Sequence, residues 1–129
     1  MSDRHALIDA FSTAWGAKDL DALMELMAPD CEFRSSVGPG PGARFAGRHE
    51  VRRGFSLFLG PPDVPTAETQ STGDLVGENF AVTRWTARSS QADGSVLEVR
   101  ACDVFEFEGD RIKVKDTYRK VLGELPAGG

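Results

Sequence analysis

With 129 residues, 40% of them hydrophobic and 27% charged, the chain is long enough for one core and too apolar to stay disordered. A net charge of −5 with no strongly basic stretch sets nucleic acid aside as a partner, and no apolar run approaches the roughly 20 residues of a membrane span. Met1-Ser2-Asp3-Arg4-His5-Ala6 lacks the basic-then-apolar order of a signal peptide, so a cytoplasmic location is expected.

Residues 3–17 predict a helix, because Leu7, Ile8, Phe11, Ala14 and Trp15 recur at three- and four-residue spacing behind Asp3, a capping residue. Asp19 caps a second, short helix with apolar positions Leu20, Leu23, Met24 and Met27, ended by Pro29-Asp30. Cys31 to Ser35 alternates like a strand, with Cys31, Phe33 and Ser35 on one side. Glycines and prolines make residues 37–42 a loop. A third helix over about 48–59 buries Val51, Phe55 and Phe58, and Gly60-Pro61-Pro62 stops it. From residue 64 onward the period is two. Strands are expected near 66–76, 79–90, 95–107 and 111–121, with turns at Gly77-Glu78-Asn79 and Gly109-Asp110.

Helices first and strands second predict an α+β fold, its helices on one face of an antiparallel sheet. The whole chain, 1–129, reads as a single domain with its core over about 5–121 and a flexible Gly- and Pro-bearing tail over 123–129. Cys31 and Cys102 fall on opposite faces and are not expected to bond, and with two histidines they make no metal set.

Strand 97–107 carries the strongest signal. Its odd positions are Leu97, Val99, Ala101, Asp103, Phe105 and Phe107, one face of a strand in which Asp103 is the only charge. A carboxylate in an apolar row costs several kcal/mol unless it meets a partner, a proton or a wet cavity. Asp103 is therefore expected to point into a pocket.

The register follows from the turns. Gln91-Ala92-Asp93-Gly94-Ser95 fits a three-residue hairpin loop with Gly94 in the left-handed region. Thr83 then faces Asp103, Trp85 faces Ala101, Ala81 faces Phe105 and Arg88 faces Glu98. A two-residue loop at Gly109-Asp110 sets Glu108 against Arg111 and Asp116 directly across from Asp103, with Ile112, Val114 and Tyr118 in the same inner row. A bulge in the last strand would undo that row, exposing Asp116 and turning Lys115 or Thr117 inward.

The stretches Asp19-Leu20-Asp21-Ala22-Leu23, Ala28-Pro29-Asp30-Cys31-Glu32-Phe33, Phe45-Ala46-Gly47-Arg48 and Asp103 through Ile112 resemble nuclear-transport-factor-2-like domains. Within them the chain looks most like the SnoaL-like group, with its polyketide cyclases, and like ketosteroid isomerases. The resemblance implies a cone-shaped curved sheet wrapped by about three N-terminal helices, a deep apolar pocket and a homodimer packed through the sheet. Asp103 stands where the isomerases hold a protonated aspartic acid. Ser35 stands at their general base and Phe11 at their oxyanion tyrosine, so one of three groups is kept. Limonene-type epoxide hydrolases need an inward Arg and Asp where Thr83 and Trp85 stand.

Asp103 with Asp116 is thus the candidate acid–base pair, since two carboxyl groups in hydrogen-bond reach share a proton. Trp15, Phe33, Ser35, Phe55, Phe58, Thr83, Trp85, Phe105 and Tyr118 are the candidate ligand-binding residues. Two readings stand. One is binding of a small apolar or aromatic ligand, with isomerase, cyclase or dehydratase chemistry on a ketone-like or polyketide-like substrate and no cofactor or metal. The other is a non-catalytic ligand-binding or dimerisation module of the same fold.

Overall fold

A computed structural model describes residues 3–64 and 67–127. Three helices, α1 (Arg4–Gly16), α2 (Leu20–Glu25) and α3 (Arg48–Leu59), accompany six strands: β1 (Met27–Arg34), β2 (Arg44–Ala46), β3 (Glu68–Val76), β4 (Phe80–Ser90), β5 (Val96–Glu108) and β6 (Arg111–Arg119). The expected start of β3 at residue 66 lies outside the described residues, as do residues 128 and 129 of the tail. The strands form one curved, unclosed sheet in the order β2-β1-β6-β5-β4-β3.

The helix ends follow from the caps. The Asp3 carboxylate accepts from the backbone N–H groups of His5 and Ala6, and Asp19 accepts from that of Ala22. Met27, read as the last apolar position of α2, instead opens β1, whose ladder slips between Met27 and Glu32 around Pro29, a residue with no N–H to give. In α3 the buried positions are Val51, Gly54, Phe55 and Leu59. Leu59 continues the four-residue spacing from Val51 and Phe55, and Phe58, expected inside, is 42% exposed. Gly54 lets α3 approach the sheet: a Cβ there would lie 2.8 Å from the Phe45 ring.

The core lies between the helices and one face of the sheet. Phe11 of α1 meets Phe105 of β5 edge-on at 5.1 Å and Phe55 of α3 at 5.9 Å, while Phe33 of β1 stacks on Phe45 of β2 at 5.6 Å. Cys31 and Phe33 join this core, and Ser35 is buried with them, as their alternation predicts. Cys31 and Cys102 are both free.

The β4–β5 register is the expected one, with Thr83 opposite Asp103, Trp85 opposite Ala101 and Arg88 opposite Glu98; Gly94 turns the loop at φ 86°. Three features of the sheet differ from expectation. The short edge strand β2 is added beside β1, and β1 runs parallel to β6, so the sheet is mixed rather than antiparallel throughout. The third, a bulge in β6, decides the site. Glu108 pairs with Arg111 and Phe107 with Ile112, but Glu106 pairs with Val114, so Lys113 is an extra residue in β6. Beyond this bulge every side chain of β6 changes face.

Candidate site on the concave face of β5 and β6

The bulge puts Thr117, not Asp116, opposite Asp103. The physical reason lies in the charges. In the unbulged register two carboxylates would face each other directly, which is destabilising. With the bulge, Lys115 turns inward and its Nζ donates to Asp103 Oδ1 at 2.9 Å. Lys113, displaced outward, lies 3.0 Å from both Asp30 and Glu108.

Asp103 and Lys115 form a buried ion pair, their side chains 9% and 6% exposed. Three donors converge on the Asp103 carboxylate. Lys115 Nζ and the Thr117 hydroxyl donate to Oδ1, and the Trp85 indole N–H donates to Oδ2 at 2.9 Å. Lys115 Nζ also donates to Thr117 Oγ1 at 2.9 Å. The ammonium lies 4.8 Å from the centre of the Trp15 ring and 4.9 Å from that of Phe33. A cation over ring faces gains from their negative quadrupole. Hydrogen bonds to a charged partner partly offset the loss of hydration.

Burial falls off along the inner rows from this cluster. Phe105 and Ala81 are 2% and 0% exposed under the helices. Next along β5 comes Asp103, followed by half-buried Ala101 and Val99, and then Leu97 at 46%. On β4, Thr83, Trp85 and Ala87 are half-buried. Asp103 therefore stands where the helix-covered core gives way to open concave sheet.

The remaining predicted residues divide. Trp15, Phe33, Thr83, Trp85 and Phe105 gather around Asp103 or in the core beneath it. Phe55 is fully buried against Phe11, Trp15 and Phe33. Phe58 sets its edge against Phe33 at 5.3 Å. Ser35 is buried, and its hydroxyl donates to the Val37 carbonyl at 2.7 Å.

Asp116 and Tyr118 are not brought to Asp103. Asp116 pairs with Val104 on the opposite face, where it lies 3.5 Å from Arg34 and accepts from the Tyr118 hydroxyl at 3.1 Å. That bond holds the half-exposed Tyr118 phenol above its usual range, because the anion would lie beside the Asp116 carboxylate. Arg34 also binds Glu32, which bridges to Arg44 at 2.6 Å, and the two guanidinium groups, Arg44 first, hold the Glu32 carboxyl below its ordinary range.

Lys115 was absent from the candidate site residues, although the bulged alternative for the last strand turned it or Thr117 inward. Its signal was present: the unbulged register set like charges opposite each other, with a lysine one residue away. Two open surface hollows lie elsewhere, one of about 280 Å³ between Asp3–His5 and Val76–Glu78, the other of about 360 Å³ along Gly73–Leu75, Val82 and Arg84. Among the described residues no helix is long and apolar enough to cross a membrane.

A helix-backed curved sheet with this strand order places the chain in a known class. The model of the SnoaL-like domain matches residues 8–114, and the chain belongs to that family. Solved structures agree on the fold. An NTF2-like protein of unknown function from Cytophaga hutchinsonii superposes with a TM-score of 0.73 at 20% identity, over 92% of this chain and 100% of that one. One from Mesorhizobium loti gives 0.73 at 28% identity, over 94% and 97%. A protein from Catenulispora acidiphila with a ketosteroid isomerase-like fold, solved in complex with trimethylamine, gives 0.66 at 16% identity, over 87% and 83%. No curated protein matches the chain.

Proposed function

We propose that this SnoaL-like protein binds a small, mainly apolar ketone-like or aromatic molecule on the open concave face, and that the Asp103–Lys115 pair handles its protons. One observation carries the reading: a buried carboxylate–ammonium pair stands at the edge of the covered core, beside half-buried Trp85, Thr83 and Ala101. An ionised carboxylate has about four lone-pair positions. Three donors occupy three of them, which leaves Oδ2 a position to accept a proton from a carbon next to a carbonyl. Lys115 would donate to the carbonyl oxygen as it gains negative charge, the pattern of general acid–base catalysis. Isomerisation, aldol-type cyclisation and dehydration all pass through such an enolate. Asp116 and Tyr118, on the other face, have no part in this scheme, and Ser35 is engaged with Val37.

The homodimer that the family resemblance implies would pack through the outer sheet face, where Leu75, Phe80 and Tyr118 are 72%, 54% and 56% exposed. Light scattering after gel filtration tests it, and a monomer at all concentrations refutes it.

The test of the ligand reading is a panel of cyclic and aromatic ketones scored by thermal shift and by fluorescence of Trp15 and Trp85. Proton NMR in deuterated water reports loss of the protons next to the carbonyl. Binding that survives in Asp103→Asn with exchange abolished is the expected result. Ketones that neither bind nor exchange overturn it. The second reading, a ligand carrier or dimerisation module without chemistry, has its own support: among the described residues no buried side-chain polar atom lacks a partner, the Asp103–Lys115 pair included. Binding without proton exchange in the native chain decides for it.

A further inference from the structure

We infer that the cluster around Lys115 is an alkylammonium cage already filled from within the chain, and that Lys115 thereby sets which ligand charge the concave face accepts. The inference deepens the reading above and rests on the same site. The groups that meet the Lys115 head are those that recognise a free amine: the Asp103 carboxylate at 2.9 Å, the Thr117 hydroxyl at 2.9 Å, and the faces of Trp15 and Phe33 at 4.8 and 4.9 Å. Trp85 holds the second carboxylate oxygen from the side, fixing the anion in place. Aromatic faces with an adjacent carboxylate form the usual receptor for a desolvated ammonium.

With Lys115 in place, Asp103 is neutralised and the cage is full. An incoming amine would find no free carboxylate and no vacant aromatic face, because the Lys115 head already holds Asp103, Thr117, Trp15 and Phe33. The open face beside the cluster therefore offers an amine no receptor, whereas an uncharged carbonyl group can still accept from Lys115. Specificity of this kind comes as much from the rejected ligand as from the favoured one.

The cage can be emptied and refilled. Lys115→Ala removes Cγ, Cδ, Cε and Nζ, and n-propylammonium has the same four heavy atoms in the same order. In thermal-shift titrations, n-propylammonium chloride is expected to raise the melting temperature of Lys115→Ala by about 4 °C at saturation, in line with one tightly held small ligand. The native chain and Lys115→Met, whose side chain fills the space without charge, should gain nothing from it. Propanol and propionate should not replace the amine, and Lys115→Ala/Asp103→Asn should not respond. If Lys115→Ala is unfolded alone, the amine is expected to restore its native circular dichroism. The inference is overturned if the amine has no effect on Lys115→Ala, if propanol serves equally, or if Lys115→Met or the native chain responds alike. None of these measurements uses a ketone. Rescue in a protein that binds no ketone would uphold the cage and sink only the earlier reading.

Discussion

Two ion-pair networks occupy opposite faces of the same strand, one residue apart. On the concave side Lys115 and Asp103 meet at 2.9 Å with side chains 6% and 9% exposed. On the convex side Arg34 and Asp116 meet at 3.5 Å with side chains 43% and 17% exposed. The chemistry of the partners is similar, but the solvent is not. A buried pair is costly to break because the survivor is left charged in low dielectric, whereas water takes over much of what an exposed pair provides. The comparison teaches that the bulge at Lys113, rather than the identity of the charges, decides which of two neighbouring residues becomes structurally critical.

The most severe way to break the comparison is to exchange the two neighbours. Lys115→Asp with Asp116→Lys would set a carboxylate against Asp103 in the bulged register, and only an even ladder would bring the lysine back to it. The expected loss is about 4 kcal/mol or more, the range of a disrupted buried network, read as a collapse of the urea midpoint. Near-native stability would show that the strand tolerates either register. Next comes Lys115→Met, which strands Asp103 and should cost about 3–5 kcal/mol. Adding Asp103→Asn to it should restore much of that loss, since no unpaired charge remains. A double variant no better than the single one would mean that packing of the lysine stem, not charge, is what matters.

A smaller effect sharpens the contrast from the exposed side. Arg44 and Arg34 hold Glu32 below its ordinary pKa of 4.5. A depressed folded-state value means stability that is present above the unfolded pKa and lost as pH falls through the folded one. The native chain should lose stability on acidification below about pH 4.5, and Glu32→Gln should lack that component, about 1 kcal/mol. Identical acid unfolding curves would contradict it.

Much of this was legible in the residues. The three helices, the β4–β5 register and the inward direction of Asp103 follow from spacing, caps and the Gln91–Ser95 loop, all of them local signals. What was not legible is longer in range. β2 is three residues long and exists because β1 offers it an edge; the parallel pairing of β1 with β6 joins distant parts of the chain. The bulge in β6 follows from the turn chemistry no more than an even ladder would. It is selected by a contest between Asp103 facing Asp116 and Asp103 meeting Lys115, and that contest is energetic. Alternation alone sorted Lys115 to solvent, because a lysine in a strand is ordinarily outside.

The mildest perturbation tests the convex network by its own titration. Tyr118 donates to Asp116, and a phenol bonded to a carboxylate resists ionisation, because the phenolate would lose the bond and face a second negative charge. Asp116→Asn removes the charge and keeps an acceptor. The chain has a single tyrosine, so its ultraviolet absorbance reports this one group. In the native protein the phenol should titrate above its usual 10.0, and in Asp116→Asn it should move back down toward that value. Stability should change by little in the same variant, since Arg34 keeps Glu32 and lies near Glu106. Were Asp116 turned inward against Asp103 in solution, Tyr118 would turn with it, and the substitution would stabilise the fold by relieving a clash of carboxylates. The two registers thus predict different stability changes for one conservative substitution, little in the bulged ladder and a gain in the even one.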